Sequence, residues 1–213
     1  MAIWSAFVGM LGMVLTQLAQ LLDGSYGLAV IALALFVRLA LLPLTLKSAE
    51  QSWRQRQKLA VLKPEIERLR EHHGKDLAAQ STALQALYRK HGVSTGLGSG
   101  LLTAIVQAPL GAGLYAAIRQ SVAGAGSFLW IPKLARPDLW LALAVAALTY
   151  AAILLNPAMS MQAKTLLQLL PVVFSFFMIW HLAAGLGLYW AGSGSVSLLQ
   201  AAILRHRVRR MPV

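Results

Sequence analysis

The sequence predicts an all-α integral membrane protein: five transmembrane helices around a hydrophilic groove, with an N-terminal interfacial helix and a cytoplasmic helical hairpin. Three observations lead there. Of 213 residues, 58% are hydrophobic and 12% charged, with a mean hydropathy of +0.64. Several apolar runs approach the ~18 to 20 residues that cross a ~30 Å hydrocarbon core. The basic residues are segregated: 10 of the 19 Lys and Arg fall between Lys47 and Lys90, and four more are Arg205, Arg207, Arg209 and Arg210. A lone cation, Arg38, stands inside an apolar run. The formal charge of +12 would suit a nucleic-acid partner, but its placement is the positive-inside bias of a membrane protein, so no DNA is expected. The chain has no cysteine, which excludes disulfides, thiol nucleophiles and thiolate metal sites.

Residues 1–24 are expected to form the interfacial amphipathic helix. Ile3, Phe7, Val8, Leu11, Val14, Leu15, Leu18 and Leu22 recur at helical spacing, while Ser5, Gly9, Gly12, Thr16, Gln17 and Gln20 fall elsewhere. A signal peptide would want a positive n-region, and this start has no Lys or Arg. The alternative, a first span, would put the N-terminus on the basic side with no charge to hold it there.

Asp23-Gly24-Ser25 reads as a turn into the first span, 25–46. Residues 47–100 follow as a cytoplasmic helical hairpin and link. Leu59, Leu62, Ile66 and Leu69 have a/d-type spacing, Gly74 breaks the pattern, and Leu77, Leu84 and Leu87 resume it. Ten basic residues against Glu50, Glu65, Glu67, Glu71 and Asp76 place this segment in the cytoplasm. The same surface suits anionic lipid headgroups or ribosomal RNA. Span two, 101–118, carries Gln107 and Pro109, and an outer loop covers 119–138. Span three is 139–155, a cytoplasmic link 156–164, span four 165–182, span five 185–204 and the basic cytoplasmic tail 205–213. Five crossings put the N-terminus outside and the C-terminus in the cytoplasm.

Arg38 lies roughly 13 to 14 Å along a helix from Lys47, too deep for simple snorkelling. An arginine at a helix centre costs about 2.5 to 3.5 kcal/mol on insertion scales, so it faces a partner or a water-filled cavity. No span contains an acidic residue, so an intramembrane ion pair is excluded. Two readings remain: Arg38 braces the bundle through backbone carbonyls, or it forms the wall of a wet groove. Pro43 and Pro109 each remove a backbone hydrogen bond, at Leu39 and Ile105, and can open a helix locally. Ser193, Ser195 and Ser197, with Gly192 and Gly194, suit close helix packing as well as groove lining.

Enzyme signatures are missing. His72 and His73 are adjacent, without an H-E-x-x-H pattern, and read as surface histidines. His181 and Ser193 lack any G-x-S-x-G frame for a hydrolase. The glycine-rich 96–100 follows no strand and makes no phosphate cradle. No cofactor or metal is expected.

Several motifs resemble one family. Ser25-Tyr26-Gly27-Leu28-Ala29, Val37-Arg38-Leu39, Leu42-Pro43-Leu44 and Lys47-Ser48 resemble the first core span of the YidC/Oxa/Alb membrane protein insertases, groove arginine included. Residues 84–93 (LQALYRKHGV) are similar to the end of that family's cytoplasmic hairpin, and Gln107-Ala108-Pro109 with Gly113-Leu114-Tyr115 to its second span. Leu170-Pro171, Ala184-Gly185-Leu186, Leu188-Tyr189-Trp190 and Gln200 resemble its last two spans. The resemblance covers nearly the whole chain, in order, and is to the short Gram-positive form. It implies an insertase in the bacterial plasma membrane, with a groove open to cytoplasm and lipid and closed outside. The client-binding lining it implies is Arg38, Gln107, Thr149, Ser175, Trp190, Ser193 and Gln200. Its implied partners are nascent membrane proteins, with a Sec-type translocon, the ribosome and anionic lipids beside them. The rival reading is a small-solute transporter or channel subunit in which Arg38 binds an anion. The lack of an evident inverted repeat or half-helix pair counts against it.

Overall fold

A computed structural model describes residues 2–74, 76–93, 98–157 and 166–210. Their regular structure is helical: α1 Ala2–Leu21, α2 Tyr26–His73, α3 Leu77–Lys90, α4 Gly98–Ser121, α5 Leu139–Leu155, α6 Leu166–His181 and α7 Ala184–Arg209. Most of the two links expected around 94–100 and 156–164 lies outside the described residues.

The expected boundary at Leu46 is not a break in the backbone. The first span and the first arm of the hairpin form one helix of 48 residues, about 72 Å long at 1.5 Å per residue. Ser25 caps its start, the hydroxyl accepting from Leu28 N–H at 3.4 Å. Pro43 and Pro64 lie on exposed faces and leave the helix continuous. Gly74, at φ +51°, ends it with a conformation that side chains disfavour.

Asp76 starts α3 by accepting from Ala78 and Ala79 N–H at 3.1 and 3.0 Å. The hairpin closes over Leu62, Leu87 and Val93, which are buried, and Lys58 Nζ donates to the Gly92 carbonyl at 3.2 Å. Leu59, Ile66 and Leu69 are only half-buried, and Leu77 is exposed. Among the described residues α3 packs on α2 alone, so the hairpin stands off the bundle at the end of one long helix.

In the bundle, α7 lies between α2 and α5, and α6 packs mainly on α5 and touches α7. Gly192 allows the α2–α7 approach: a Cβ there would sit 3.1 Å from the Ala34 methyl. On the other side α4 packs against α1, α2 and α7, and α4 and α6 do not meet among the described residues. The outward face of α6, with Leu170, Phe174, Phe177 and Trp180, is exposed, as is Phe36 of α2. An apolar face of this extent suits lipid as its solvent.

Both α1 and the first part of α2 are long and apolar enough to cross a membrane, with mean hydropathies of 1.6 and 2.4. Val8, Leu11, Leu15 and Ala19 form the buried stripe of α1. Phe7 and Leu11 lie on Gly113, and Gly12 lies nearest Ser121. The helix thus runs beside the half of α4 that leads to Ser121. Its remaining surface is not the charged face of an ordinary interfacial helix, since Ile3, Met10, Met13 and Leu21 are exposed.

The connection from α4 to α5 folds across the bundle end. Phe128 and Ile131 exchange two N–H···O bonds of 2.9 Å, and Ile131 and Leu134 are buried. The carbonyls of Arg136 and Leu134 accept from Ala184 and Gly185 N–H at 2.8 and 3.0 Å, satisfying donors at the start of α7. Asp138 caps α5 through Leu141 N–H at 2.7 Å and also accepts from Trp130 Nε1 at 3.2 Å. The Phe128 ring presses on Gly27, where any Cβ would overlap it.

Candidate functional site

One face of α2 turns inward along a cavity of about 580 Å³. Arg38, Thr45, Ala49, Ser52 and Arg56, spaced by 7, 4, 3 and 4 residues, line it on that helix, with Ser48 beside them. Arg38 to Arg56 is 18 residues, about 27 Å along the axis. Leu148, Thr149, Ala152, Ile153 and Asn156 supply the α5 wall, and α7 contributes residues from Trp190 to Leu204. Gln107 of α4 and Pro171 of α6 stand at the edges. A second recess of about 230 Å³ shares Arg38, Gln107, Trp190 and Ser193 and lies against Leu110, Tyr115, Leu186 and Tyr189.

Three of the lining hydroxyls, those of Thr45, Thr149 and Ser197, bond to carbonyls of their own helices. Thr149 donates to the Val145 carbonyl at 2.9 Å and Ser197 to that of Ser193 at 3.0 Å. Two of the lining side chains bridge α2 and α7: Thr45 Oγ1 donates to Gln200 Oε1 at 2.9 Å, and Gln200 Nε2 to the Thr45 carbonyl at 3.4 Å. Two groups stand out. Ser193 is 3% exposed, and its hydroxyl has no partner among the described residues. Arg38 is half-buried, and no hydrogen bond or ion pair to it is found among the described residues. Among the described residues the bracing reading therefore finds no carbonyl to rest on. A buried hydroxyl and a guanidinium line one cavity and give its otherwise largely apolar wall polar groups, and no acidic side chain lines either space among the described residues.

Six of the expected residues, Arg38, Gln107, Thr149, Trp190, Ser193 and Gln200, are brought together around this space. Ser175 is apart from it: it is 7% exposed and donates to the Val172 carbonyl of its own helix at 2.9 Å, near the Ile179 cluster. Ser48, Ser52 and Arg56 were not anticipated, because they lie beyond the end expected for the first span. The signal was present, since the spacing from Arg38 continues past Leu46 in helical register. Among the described residues no cluster of His, Asp or Glu could hold a metal.

The described residues form a helical chain with long apolar helices and a cavity whose charged lining is basic, the features of a helical membrane protein. Residues 17–211 match the 60Kd inner membrane protein family. The chain is 32% identical to membrane protein insertase YidC 1 of Lactiplantibacillus plantarum, over 92% of this chain and 68% of that protein. It is 29% identical to the YidC insertase of Staphylococcus aureus, over 92% and 73% respectively. Against the longer YidC insertase of Pseudomonas aeruginosa it is 32% identical over 91% of its length, which is 33% of the relative. It superimposes on a crystal structure of an active YidC insertase with the first transmembrane domain resolved, at a TM-score of 0.61 and 30% identity, over 93% of this chain and 45% of that one. This chain belongs to the 60Kd inner membrane protein family, the YidC/Oxa/Alb membrane protein insertases, which are not enzymes.

Proposed function

We propose that this protein inserts transmembrane segments of client proteins into the bilayer by receiving their hydrophilic flank in the cavity along α2. The observation that supports this best is Arg38, without a bonding partner among the described residues, at the inner end of a cavity whose α2 wall runs about 27 Å. In this reading α2 through Leu46, α4, α5, α6 and α7 span the membrane, and α1 lies in the outer leaflet against the outer half of α4. The N-terminus is outside, and the hairpin and Arg-rich tail are cytoplasmic. The 119–138 connection seals the outer end, while Ser52, Arg56 and Asn156 mark the cytoplasmic mouth. The gap between α4 and α6 opens the groove to lipid.

The energetics need no nucleotide. About twenty apolar residues contribute roughly −6 to −12 kcal/mol at −0.3 to −0.6 each, so insertion is downhill overall. The obstacle is kinetic, because each Asp or Lys of the polar flank costs about 2.5 to 3.5 kcal/mol at the bilayer centre. A wet groove halfway across shortens that passage and leaves the apolar segment to move along the exposed face of α6. Arg38, Gln107, Thr149, Trp190, Ser193 and Gln200 bind the flank, whereas Ser175, bonded within its own helix, does not. Clients are newly made membrane proteins. The hairpin, with its excess of Lys and Arg, meets them beside anionic lipid, the ribosome or a Sec-type translocon.

Purified protein in liposomes, offered a single-span client with a short acidic tail, tests the proposal. Protease-protected client is the expected result. Solute flux without protected client would instead make the groove an anion path.

A further inference from the structure

One carboxylate stands beside the groove without lining it. Glu50 follows Ala49, which does line it, and accepts a 2.7 Å hydrogen bond from Arg207 Nη1 of α7. The Glu50 side chain is 20% exposed and that of Arg207 52%, so the acid is the more enclosed partner. The ion pair is not needed to join the helices at this level. Thr45 and Gln200 already tie α2 to α7, and Gly192 brings them together deeper in the bundle. Every charged side chain on the described lining, Arg38 and Arg56, is positive.

We propose that Arg207 determines client specificity. By neutralising Glu50 it keeps the groove entrance free of negative charge, so that tails carrying Asp or Glu enter without repulsion. This rests on the insertase reading. Partly enclosed charges next to a low-dielectric wall are screened less than surface ones, so an unpaired carboxylate here acts on a tail passing nearby. An exposed ion pair acting only as a brace would affect all clients alike and contribute little.

The test uses the full chain in liposomes and three single-span clients that differ only in tail charge: two Asp, neutral, or two Lys. Arg207→Ala is expected to slow the acidic-tailed client about threefold or more, leave the neutral one at the wild-type rate and favour the basic one. Adding Glu50→Gln to Arg207→Ala restores the acidic client, and Glu50→Gln alone shifts preference further towards it. Equal slowing of all three clients by Arg207→Ala, or no recovery with Glu50→Gln, overturns the proposal and makes the pair a brace. An unchanged charge preference in every variant overturns it too. Failure of the wild-type protein to insert the neutral client would instead overturn the insertase reading itself.

Discussion

Replacing Arg38 with alanine removes a guanidinium that faces both cavities and has no bonding partner among the described residues. A client carboxylate 4 Å from it would gain about 4 kcal/mol at an effective dielectric of 20. The groove is open to water at one end, and half-burial leaves some screening, so about 1 to 2 kcal/mol is a fair net figure. At 1.4 kcal/mol per factor of ten, insertion of an acidic-tailed client should slow roughly tenfold. Arg38→Lys keeps the charge and should stay within about threefold of wild type, losing only bidentate geometry. Since Arg38 binds no protein group among the described residues, neither change should lower the unfolding midpoint in detergent. Protease protection in proteoliposomes gives the rates, and a thermal melt gives the control. Wild-type insertion by Arg38→Ala would remove the charge from the mechanism, and a large fall in melting temperature would revive the bracing role.

Ser193→Ala removes a buried hydroxyl that has no partner among the described residues, so stability should hold or rise by up to about 1 kcal/mol while insertion slows, as a melt and the same assay would show. Ser175→Ala breaks only a bond to its own helix and should leave insertion within about twofold of wild type. Gly27→Ala drives a methyl into the Phe128 ring and should cost about 1 to 3 kcal/mol, partly recovered by adding Phe128→Ala; a melt that does not change would contradict the outer seal. Because the chain has no cysteine, single substitutions report topology directly. Cysteine in place of Ser25 should react with an impermeant maleimide from outside, and in place of Gln80 only from the cytoplasm.

Arg38, Gln107, Thr149, Ser193 and Gln200 stand out in the sequence as rare polar positions among apolar ones, since a polar side chain in lipid has few destinations, whereas Trp190 was reached only through the family resemblance. Ser175 shows the limit of that logic. A serine can satisfy itself on the preceding turn of its own helix, and one sequence does not fix which way a helix faces. Ser48, Ser52 and Arg56 were hidden for the opposite reason. Polar residues beyond the hydrocarbon are common, and only the unbroken 48-residue helix carries the face of Arg38 out to them. The Phe128–Ile131 turn depends on contacts with Gly27 and the start of α7, far away in sequence, so no local pattern announces it. The paired state of Glu50 is likewise a tertiary fact, since its partner lies 157 residues further on.

Site-specific photocrosslinking of a stalled client tests the groove most directly. Probes at Gln107, Thr149 and Ser52 should capture the client's polar tail, while probes at Ser175 and at the exposed Phe36 should not. Capture of the tail at Phe36 or Ser175, with none at the three groove positions, would contradict the account.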